Sequence, residues 1–340
     1  MQSNRLCQVD EALEKMAARL SATSLHSLMH EPERSQFIYQ FEDLTVDCTR
    51  QLLDEDGMVA LLHLAENCQL HTRIDEMFSG ALVNITEHRP VQHMAARTPD
   101  HLASVAYRKL STFAESVRRN PNITTVVNLG IGGSDLGPKM VTQALAGFHD
   151  GPVCHFVGNI CPTDLHDVLV TCDPHKTLFI VTSKTFATTE TIANAMMAKH
   201  WLNRHGVDAG PAMVAVTAAG TRAQVWGIHP DHIFAFAEGI GGRYSVWSSV
   251  GLSVMIAIGS ENFSRMLAGA YAMDRHVQHT EYAQNIAVIM GLLRVWCRRY
   301  LKLPAYGLIP YDQRLAAFPA WAQQLEMESN GKSVDRQGHP

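Results

Sequence analysis

The sequence predicts an α/β protein whose core is a doubly wound parallel sheet of the flavodoxin-like kind. Two observations predict this fold: short apolar runs alternate with helical patterns from Thr124 onward, and the first apolar run ends in a glycine-rich turn. Apolar strands that alternate with helices indicate a parallel sheet covered on both faces. Strands are predicted over residues 124–129, 153–157, 177–182, 212–216 and 233–236. Helices are predicted between them, over residues 136–146, 164–170, 188–204 and 221–227.

The segments before and after this sheet have mostly helical patterns. Residues 1–100 are predicted to form a helical arm, with apolar residues at helical spacing over 11–20 and 57–64. Within it, residues 84–97 are dense in polar groups, and their pattern favours a loop capped by Asn and Thr side chains. After the sheet, helices are predicted over 246–258, 261–279, 286–301 and 313–325, and a short apolar strand over 306–309.

Composition limits the classes of function. A chain of 340 residues, 46% hydrophobic and 18% charged, is typical of a globular protein with a sizeable core. The net charge of -5 argues against a general nucleic-acid binder, and no apolar run is long enough to span a bilayer. The N-terminus lacks the pattern of a signal peptide, and the seven cysteines are dispersed without a C-x-x-C motif. These features predict a cytoplasmic protein with reduced thiols.

The glycine turn after the first strand predicts an anion site. Gly130, Gly132 and Gly133 precede Ser134 at a predicted helix start, where backbone N–H groups and the helix dipole favour a phosphate. A dinucleotide fingerprint would require a third glycine at the position of Asp135, so that class is disfavoured. A P-loop is excluded as well, because the G-K-S run at 331–333 follows no strand and Glu326 stands where its first glycine should be.

The loop after the third strand offers more groups for the same ligand. In a flavodoxin-like order the first and third strands are neighbours, so their loops meet at the ligand-binding edge. Hydroxyls of Ser183, Thr185 and Thr188 and the ammonium of Lys184 are suited to phosphate oxygens. An ordinary helix N-cap is the alternative, but a cap needs only one hydroxyl. The sequence therefore predicts a site for the monophosphate of a small molecule.

Arg243 follows the fifth strand and is the candidate oxyanion donor. Gly241 and Gly242 before it let the backbone pass close to a ligand, and a guanidinium keeps its proton at any physiological pH. A structural salt bridge at the start of the predicted helix 246–258 is the alternative, and the pattern leaves both open.

These residues together resemble the glucose-6-phosphate isomerase (phosphoglucose isomerase) family. The matching segments are VVNLGIGGSDLGPKMV, SKTFATTET, GGRYSVWSSVGLSV, IPYDQ and MESNGK, with NITEHRPVQHMAAR as a further one. The family is built from two sugar-isomerase-type α/β domains. The resemblance implies a helical arm over 1–100, a first such domain over 101–282, and connecting helices with the truncated start of a second domain over 283–340.

The resemblance also implies a reaction, which is interconversion of glucose 6-phosphate and fructose 6-phosphate without a metal or an organic cofactor. A carboxylate base removes the C2 proton, and the reaction passes through a cis-enediolate. By position, Ser183, Lys184, Thr185 and Thr188 match the residues that hold the sugar phosphate, with Gly133 and Ser134 on the adjoining loop. Arg243 matches the arginine that stabilises the enediolate, and the complete protein is expected to be a homodimer.

Some features depart from the family pattern. The resemblance leads us to expect the glutamate base, the ring-opening histidine and a late lysine after MESNGK, so this chain is predicted to be an N-terminal portion that is inactive or nearly so. Residues 159–164 and 237–240 and Ile85 also differ from the usual family residues. Two other hypotheses are a non-catalytic sugar-phosphate-binding sensor or regulator, and a dinucleotide-dependent oxidoreductase, against which Asp135 argues.

Overall fold

The computed structural model describes residues 2–335 and 337–339. The chain divides into two compact units: unit 1 holds the residues up to His88 together with Ala272–Gly307, and unit 2 holds Arg89–Tyr271 and the residues from Leu308 onward. The three-part division at residues 100 and 282 stays a prediction. No helix in the described ranges is both long and apolar enough to cross a membrane.

The described helices and strands are as follows. The α-helices are α1 (Gln2–Ser21), α2 (Leu25–Met29), α3 (Glu55–Asn67), α4 (Leu70–Phe78), α5 (Pro99–Leu102), α6 (Val105–Arg119), α7 (Gly133–Ala144), α8 (Pro162–Leu169), α9 (Thr189–Arg204), α10 (Ala209–Ala212), α11 (Gly220–Trp226), α12 (Leu252–Ile258), α13 (Ser260–His279), α14 (Ile286–Val295) and α15 (Phe318–Asn330). The strands are β1 (Ile38–Phe41), β2 (Leu44–Asp47), β3 (Thr125–Leu129), β4 (Val153–Val157), β5 (Thr177–Thr182), β6 (Met213–Val216) and β7 (Ile233–Phe234).

Unit 2 is built on the predicted sheet. Its five strands are all parallel and lie in the order β4-β3-β5-β6-β7, which is the flavodoxin-like order, so the predicted fold class is confirmed. All six residues of the central strand β5 are buried. The strands agree with the predicted bounds to within two residues, because a strand buried on both faces is a continuous apolar run in the sequence.

Alternate residues of β3 and β5 face two different apolar clusters. Val126 and Ile180 pack in a cluster with α7 and α12, whereas Val127 and Phe179 pack in a cluster with residues of α8, α9 and α11. Helices therefore cover both faces of the sheet, and the carboxyl ends of the strands remain as the edge where loops gather.

Four expectations about the later elements are wrong in detail. The predicted helix 246–258 is α-helical only from Leu252, after 3-10 turns at Gly242–Trp247 and Ser249–Gly251. The helix predicted over 286–301 is α-helical to Val295 and then continues as a π-helical turn, Trp296–Tyr300. Residues 306–309 form no strand, and α15 extends to Asn330, beyond the predicted end at 325. The 3-10 turn Gly242–Trp247 packs against α7, so a tertiary contact outweighs the local helical pattern there.

Unit 1 has an apolar core of its own. Leu13 and Leu20 of α1 pack with Leu61 of α3, and the buried Trp296 donates a hydrogen bond from its indole N–H to the carbonyl of Leu52 at 2.9 Å. An antiparallel hairpin, β1 and β2, also belongs to this unit. The helical pattern predicted for residues 1–100 does not include it, because its residues are mostly half-buried or exposed and give no clear alternation.

Asn128 of β3 joins the glycine turn to β5. It is fully buried; its side-chain amide donates to the carbonyl of Ser134 at 2.9 Å, and its amide oxygen accepts from the hydroxyl of Thr182 at 2.9 Å. A buried amide whose donor and acceptor are both satisfied is costly to replace, because its partners would be left without hydrogen bonds.

We expect Asn128→Leu to lower the free energy of unfolding by about 2 to 4 kcal/mol, since two buried polar partners lose their hydrogen bonds. Urea unfolding followed by circular dichroism measures this change. The matched control is Asn122→Leu, an exposed asparagine just before the same strand, which should change stability by less than about 0.5 kcal/mol. Equal stability of the two variants would contradict the role given to Asn128.

Candidate functional site

The glycine turn places the start of α7 against a second segment of chain. Gly132 has a φ of +60°, in the left-handed region that favours glycine, and α7 begins at the next residue. A Cβ atom on Gly133 would lie 1.9 Å from the carbonyl oxygen of Gly242 and 2.7 Å from the backbone nitrogen of Arg243. Only a glycine at position 133 allows this approach, so the predicted anion-binding turn and the predicted oxyanion donor are brought together.

The loop after β5 brings its hydroxyl groups together. The Ser183 and Thr188 hydroxyl oxygens lie 3.0 Å apart, and Ser183 is buried at the end of the strand. Between them, Phe186 is buried and has a φ of +47°, a backbone conformation that non-glycine residues adopt at a cost. Thr185 is exposed. The strained turn therefore supplies a pair of adjacent hydroxyls followed directly by the N-terminus of α9.

Lys184 and Arg89 both bind backbone carbonyls of the segment 238–240. The Lys184 ammonium donates to the carbonyls of Glu238 at 2.6 Å and Ile240 at 3.3 Å. The Arg89 guanidinium donates to the same Glu238 carbonyl at 3.1 Å. Two cations at one carbonyl, beside the hydroxyl pair, favour an anionic ligand at this edge of the sheet.

Arg243 contacts α15. Its Nε donates to the Ser329 hydroxyl at 2.8 Å, and its Nη1 lies 3.6 Å from the Glu328 carboxylate. The arginine side chain is 25% exposed and the glutamate side chain 52% exposed, so both remain accessible to a ligand. Arg243 therefore has an ion-pair partner, as the salt-bridge alternative predicts. The partner, Glu328, lies 85 residues later in α15 and not in the helix that follows Arg243.

Glu328 is the candidate functional residue that sequence reasoning missed. It lies in the MESNGK segment, one of those that resemble the family, whereas the resemblance places the carboxylate base further along the chain. The helix predicted from the sequence ends at residue 325, whereas α15 extends to Asn330 and carries Glu328 to Arg243. The signal that could have found it is the glutamate within that specific segment.

The polar segment 84–97 divides between the two units. In unit 1, Asn84 accepts hydrogen bonds from the Thr86 hydroxyl at 3.0 Å and the Glu87 N–H at 3.2 Å, as a capped loop would. In unit 2, the His93 ring stacks on Tyr244 with centroids 4.6 Å apart and an interplanar angle of 18°. Burial, together with the charges of Arg97 and Arg243, lowers the pKa of His93 to about 4, so this ring is neutral at physiological pH.

Asp135 follows the predicted phosphate-loop residues directly and lies under the turn after β4. It is 8% exposed, and within the described chain its Oδ1 has no hydrogen-bond partner. A Cβ on Gly158 would lie 2.6 Å from its Oδ2, so the turn packs tightly on the carboxyl group. Burial raises the pKa of Asp135 to about 6; Lys139 acts against this rise and Asp164 adds to it.

Comparison with known proteins gives consistent matches. Residues 47–340 match the sequence model of the family described as phosphoglucose isomerase. The chain is 44% identical over 335 residues to a glucose-6-phosphate isomerase from Xanthobacter autotrophicus, covering 92% of this chain and 61% of the relative. It is 41% identical over 355 residues to the enzyme of the same name from Rhizobium leguminosarum, covering 97% of this chain and 65% of the relative.

Two solved structures share the fold. A glucose-6-phosphate isomerase from Chlamydia trachomatis has a TM-score of 0.86 and 30% identity, with 98% of this chain and 68% of that chain covered. A hypothetical protein from Thermus thermophilus has a TM-score of 0.69 and 27% identity, with 84% of this chain and 65% of that chain covered. The chain spans about three fifths of the length of the curated relatives it matches (61% and 65%).

The buried carboxyl of Asp135 predicts a pH dependence of stability. Because the carboxyl holds its proton more tightly in the folded chain than in the unfolded chain, the free energy of unfolding falls as the pH rises from about 4 to about 6. Asp135→Asn removes this effect. The free energy of unfolding of the variant, minus that of the unmodified chain, should therefore rise by about 2 kcal/mol between about pH 4 and about pH 7.5.

Urea unfolding of both proteins at several pH values measures this gain. The matched control is Asp167→Asn, which alters an exposed aspartate of α8 and should change the free energy of unfolding by less than about 0.5 kcal/mol. A difference of constant size for Asp135→Asn would contradict the environment described for this carboxyl.

Proposed function

The chain belongs to the phosphoglucose isomerase family, and on this premise we propose that the complete protein interconverts glucose 6-phosphate and fructose 6-phosphate. One observation carries the proposal: a carboxylate, Glu328, and a guanidinium, Arg243, face each other 3.6 Å apart beside a glycine turn suited to phosphate. Phosphate binding alone would need no such pair, so the pair favours catalysis over the alternative of a non-catalytic sensor.

The phosphate of the sugar is proposed to bind where the two loops meet. Ser183 and Thr188 supply adjacent hydroxyls and Thr185 an exposed one, Gly133 and Ser134 lie at the N-terminus of α7, and Lys184 supplies a nearby charge. Hydroxyls and helix N-termini give directed hydrogen bonds to phosphate oxygens, and an ammonium acts as a point charge. Binding at this end directs the sugar carbons toward Arg243 and Glu328.

The proton transfer is assigned to Glu328. Its carboxylate removes the C2 proton of the open-chain aldose, the C–H electrons form the C1–C2 double bond, and the carbonyl electrons move onto O1. The resulting enediolate is stabilised by Arg243, which keeps its proton. This electrostatic stabilisation is strongest where water is excluded. The hydroxyl proton of O2 then passes to the O1 oxyanion. The O2 electrons form the C2 carbonyl, and the electrons of the C1–C2 double bond take the proton back from the carboxylic acid at C1. This assignment replaces the expectation that the base follows MESNGK, because a suitable carboxylate is already present.

We further propose that the 340-residue chain by itself turns over closed-ring sugars slowly or not at all. The resemblance assigns a ring-opening histidine and a late lysine to positions after MESNGK, and we propose that turnover of closed-ring sugars depends on both. A homodimer for the complete protein and a cytoplasmic location stay predictions from the resemblance and the composition.

Lys184→Ala is expected to weaken binding of inorganic phosphate and of fructose 6-phosphate by about tenfold to a hundredfold, because a charged hydrogen-bond donor is lost. Isothermal titration of the 340-residue chain measures both affinities. Lys176→Ala is the matched control, since it removes the same charge at the opposite end of β5, where the lysine is exposed. Equal weakening by both variants would indicate a general charge effect and contradict the proposed phosphate site.

Glu328→Gln is expected to slow exchange of the carbon-bound hydrogen of fructose 6-phosphate with D₂O by about a hundredfold or more, as loss of a general base does. Proton NMR of the sugar follows the exchange and is sensitive to rates far below those of ordinary turnover. Glu326→Gln changes the same charge on the same helix and serves as the control. Exchange at the unmodified rate in Glu328→Gln would refute the base. The open-chain form of the sugar needs no ring opening, so phosphate binding without any exchange of that form by the unmodified chain would favour the sensor.

A further inference from the structure

Ser329 connects the two residues to which the chemistry is assigned. It follows Glu328 in the last turn of α15, and its hydroxyl oxygen has two partners from another segment: Nε of Arg243 and the phenol of Tyr244, each at 2.8 Å. Arg243 and Tyr244 are neighbours in the 3-10 turn Gly242–Trp247. One hydroxyl therefore joins two segments that are 86 residues apart in the chain.

We propose that Ser329 and Tyr244 are positioning residues, which hold the Arg243 guanidinium in the orientation needed to meet the enediolate oxygens. This inference rests on the proposed function, because it assigns no chemistry to Ser329 or Tyr244 themselves. Neither hydroxyl has to touch the substrate; each acts through Arg243.

The geometry explains why one hydroxyl is enough to fix the orientation of the Arg243 guanidinium. A guanidinium is planar, so a hydrogen bond at Nε fixes rotation about the bond from Cδ and sets the plane in which the two Nη groups lie. With Nε on Ser329, Nη1 faces the Glu328 carboxylate at 3.6 Å. Without that bond the guanidinium could rotate, and an arginine side chain has many rotamers to occupy.

Tyr244 supports the same orientation from a second side. The Arg243 guanidinium carbon lies 4.9 Å from the centre of the Tyr244 ring, within the range of a cation–π contact. The Tyr244 ring is in turn stacked on His93. Since His93 is neutral at physiological pH, this stack adds no positive charge beside the guanidinium.

The directions of the hydrogen bonds at Ser329 predict which substitution disturbs Arg243 more. Nε–H of arginine always donates, so the Ser329 oxygen accepts from Arg243. The phenol of Tyr244 bonds to the same oxygen, either as donor or as acceptor. Removing the phenol leaves the Arg243–Ser329 bond in place, whereas removing the Ser329 hydroxyl breaks both. Ser329→Ala should therefore have a larger effect than Tyr244→Phe, and Ser329→Thr, which keeps a hydroxyl, should retain most of the function.

The test compares two ligands of the 340-residue chain by isothermal titration. The first is inorganic phosphate, which occupies only the proposed phosphate site. The second is arabinonate 5-phosphate, a sugar acid phosphate whose planar, anionic carboxylate imitates the enediolate. The unmodified chain should bind the sugar acid more tightly than phosphate, because only the sugar acid also reaches Arg243.

We expect Ser329→Ala to lower the affinity for the sugar acid by about tenfold and Tyr244→Phe by about threefold, as expected for loss of a hydrogen bond that orients a charged group. Affinity for inorganic phosphate should be unchanged in both variants, and Ser329→Thr should bind both ligands like the unmodified chain. Asn330→Ala, an exposed change in the same helical turn, is the matched control and should alter neither affinity.

The remaining outcomes separate this inference from the proposed function. Sugar-acid affinity that is unchanged in Ser329→Ala and Tyr244→Phe would overturn the inference, as would equal loss for both ligands, which indicates a merely structural role. A chain that binds phosphate but does not prefer the sugar acid would also overturn it. If Lys184→Ala binds phosphate as well as the unmodified chain, the phosphate site itself fails, which is a separate result. If circular dichroism shows that Ser329→Ala does not fold, the affinities of Tyr244→Phe for the sugar acid and for phosphate test the inference.

Discussion

The site depends on a contact between two glycines that leaves no room for a side chain. Gly133 begins α7, Gly242 precedes Arg243, and a Cβ on the first would lie 1.9 Å from the carbonyl oxygen of the second. This approach places an arginine beside the N-terminus of a helix, although the two are more than 100 residues apart. The segment around residues 238–242 also supplies the carbonyls that Lys184 and Arg89 bind. The same piece of backbone therefore contacts the residues proposed to bind phosphate and the arginine proposed to stabilise the oxyanion.

A second constraint orients the side chains at this edge. Helix α15 contributes Glu328 and Ser329 on successive residues, so a single helical turn presents a carboxylate to Nη1 of Arg243 and a hydroxyl to its Nε. The guanidinium keeps its charge whatever the pH, and burial keeps His93 neutral behind Tyr244. The positive charge next to Glu328 is thus that of Arg243 and not of His93.

The sheet and the positions of the loops after β3 and β5 could be predicted from the sequence, because buried parallel strands and glycine turns leave local patterns. The strand order followed from the same alternation. What could not be predicted depends on contacts between distant segments. The α-helical start at Leu252 is delayed by 3-10 turns packed against α7, and Glu328 gains its significance only through Arg243. The hairpin of β1 and β2 was missed because its residues are too exposed for a clear period of two.

The separation of Arg243 from Ser329 also has a consequence for protein synthesis. The strands and both loops of the proposed phosphate site precede residue 243, whereas the hydroxyl that orients its arginine is translated 86 residues later. At about 5 to 20 residues per second, a ribosome needs roughly 4 to 17 seconds for that interval. During it, α12 can pack on the sheet, because it is translated soon after residue 243, while the Arg243 guanidinium has no Ser329 hydroxyl to bind. The orientation of this arginine is therefore one of the last features of unit 2 that can form during synthesis.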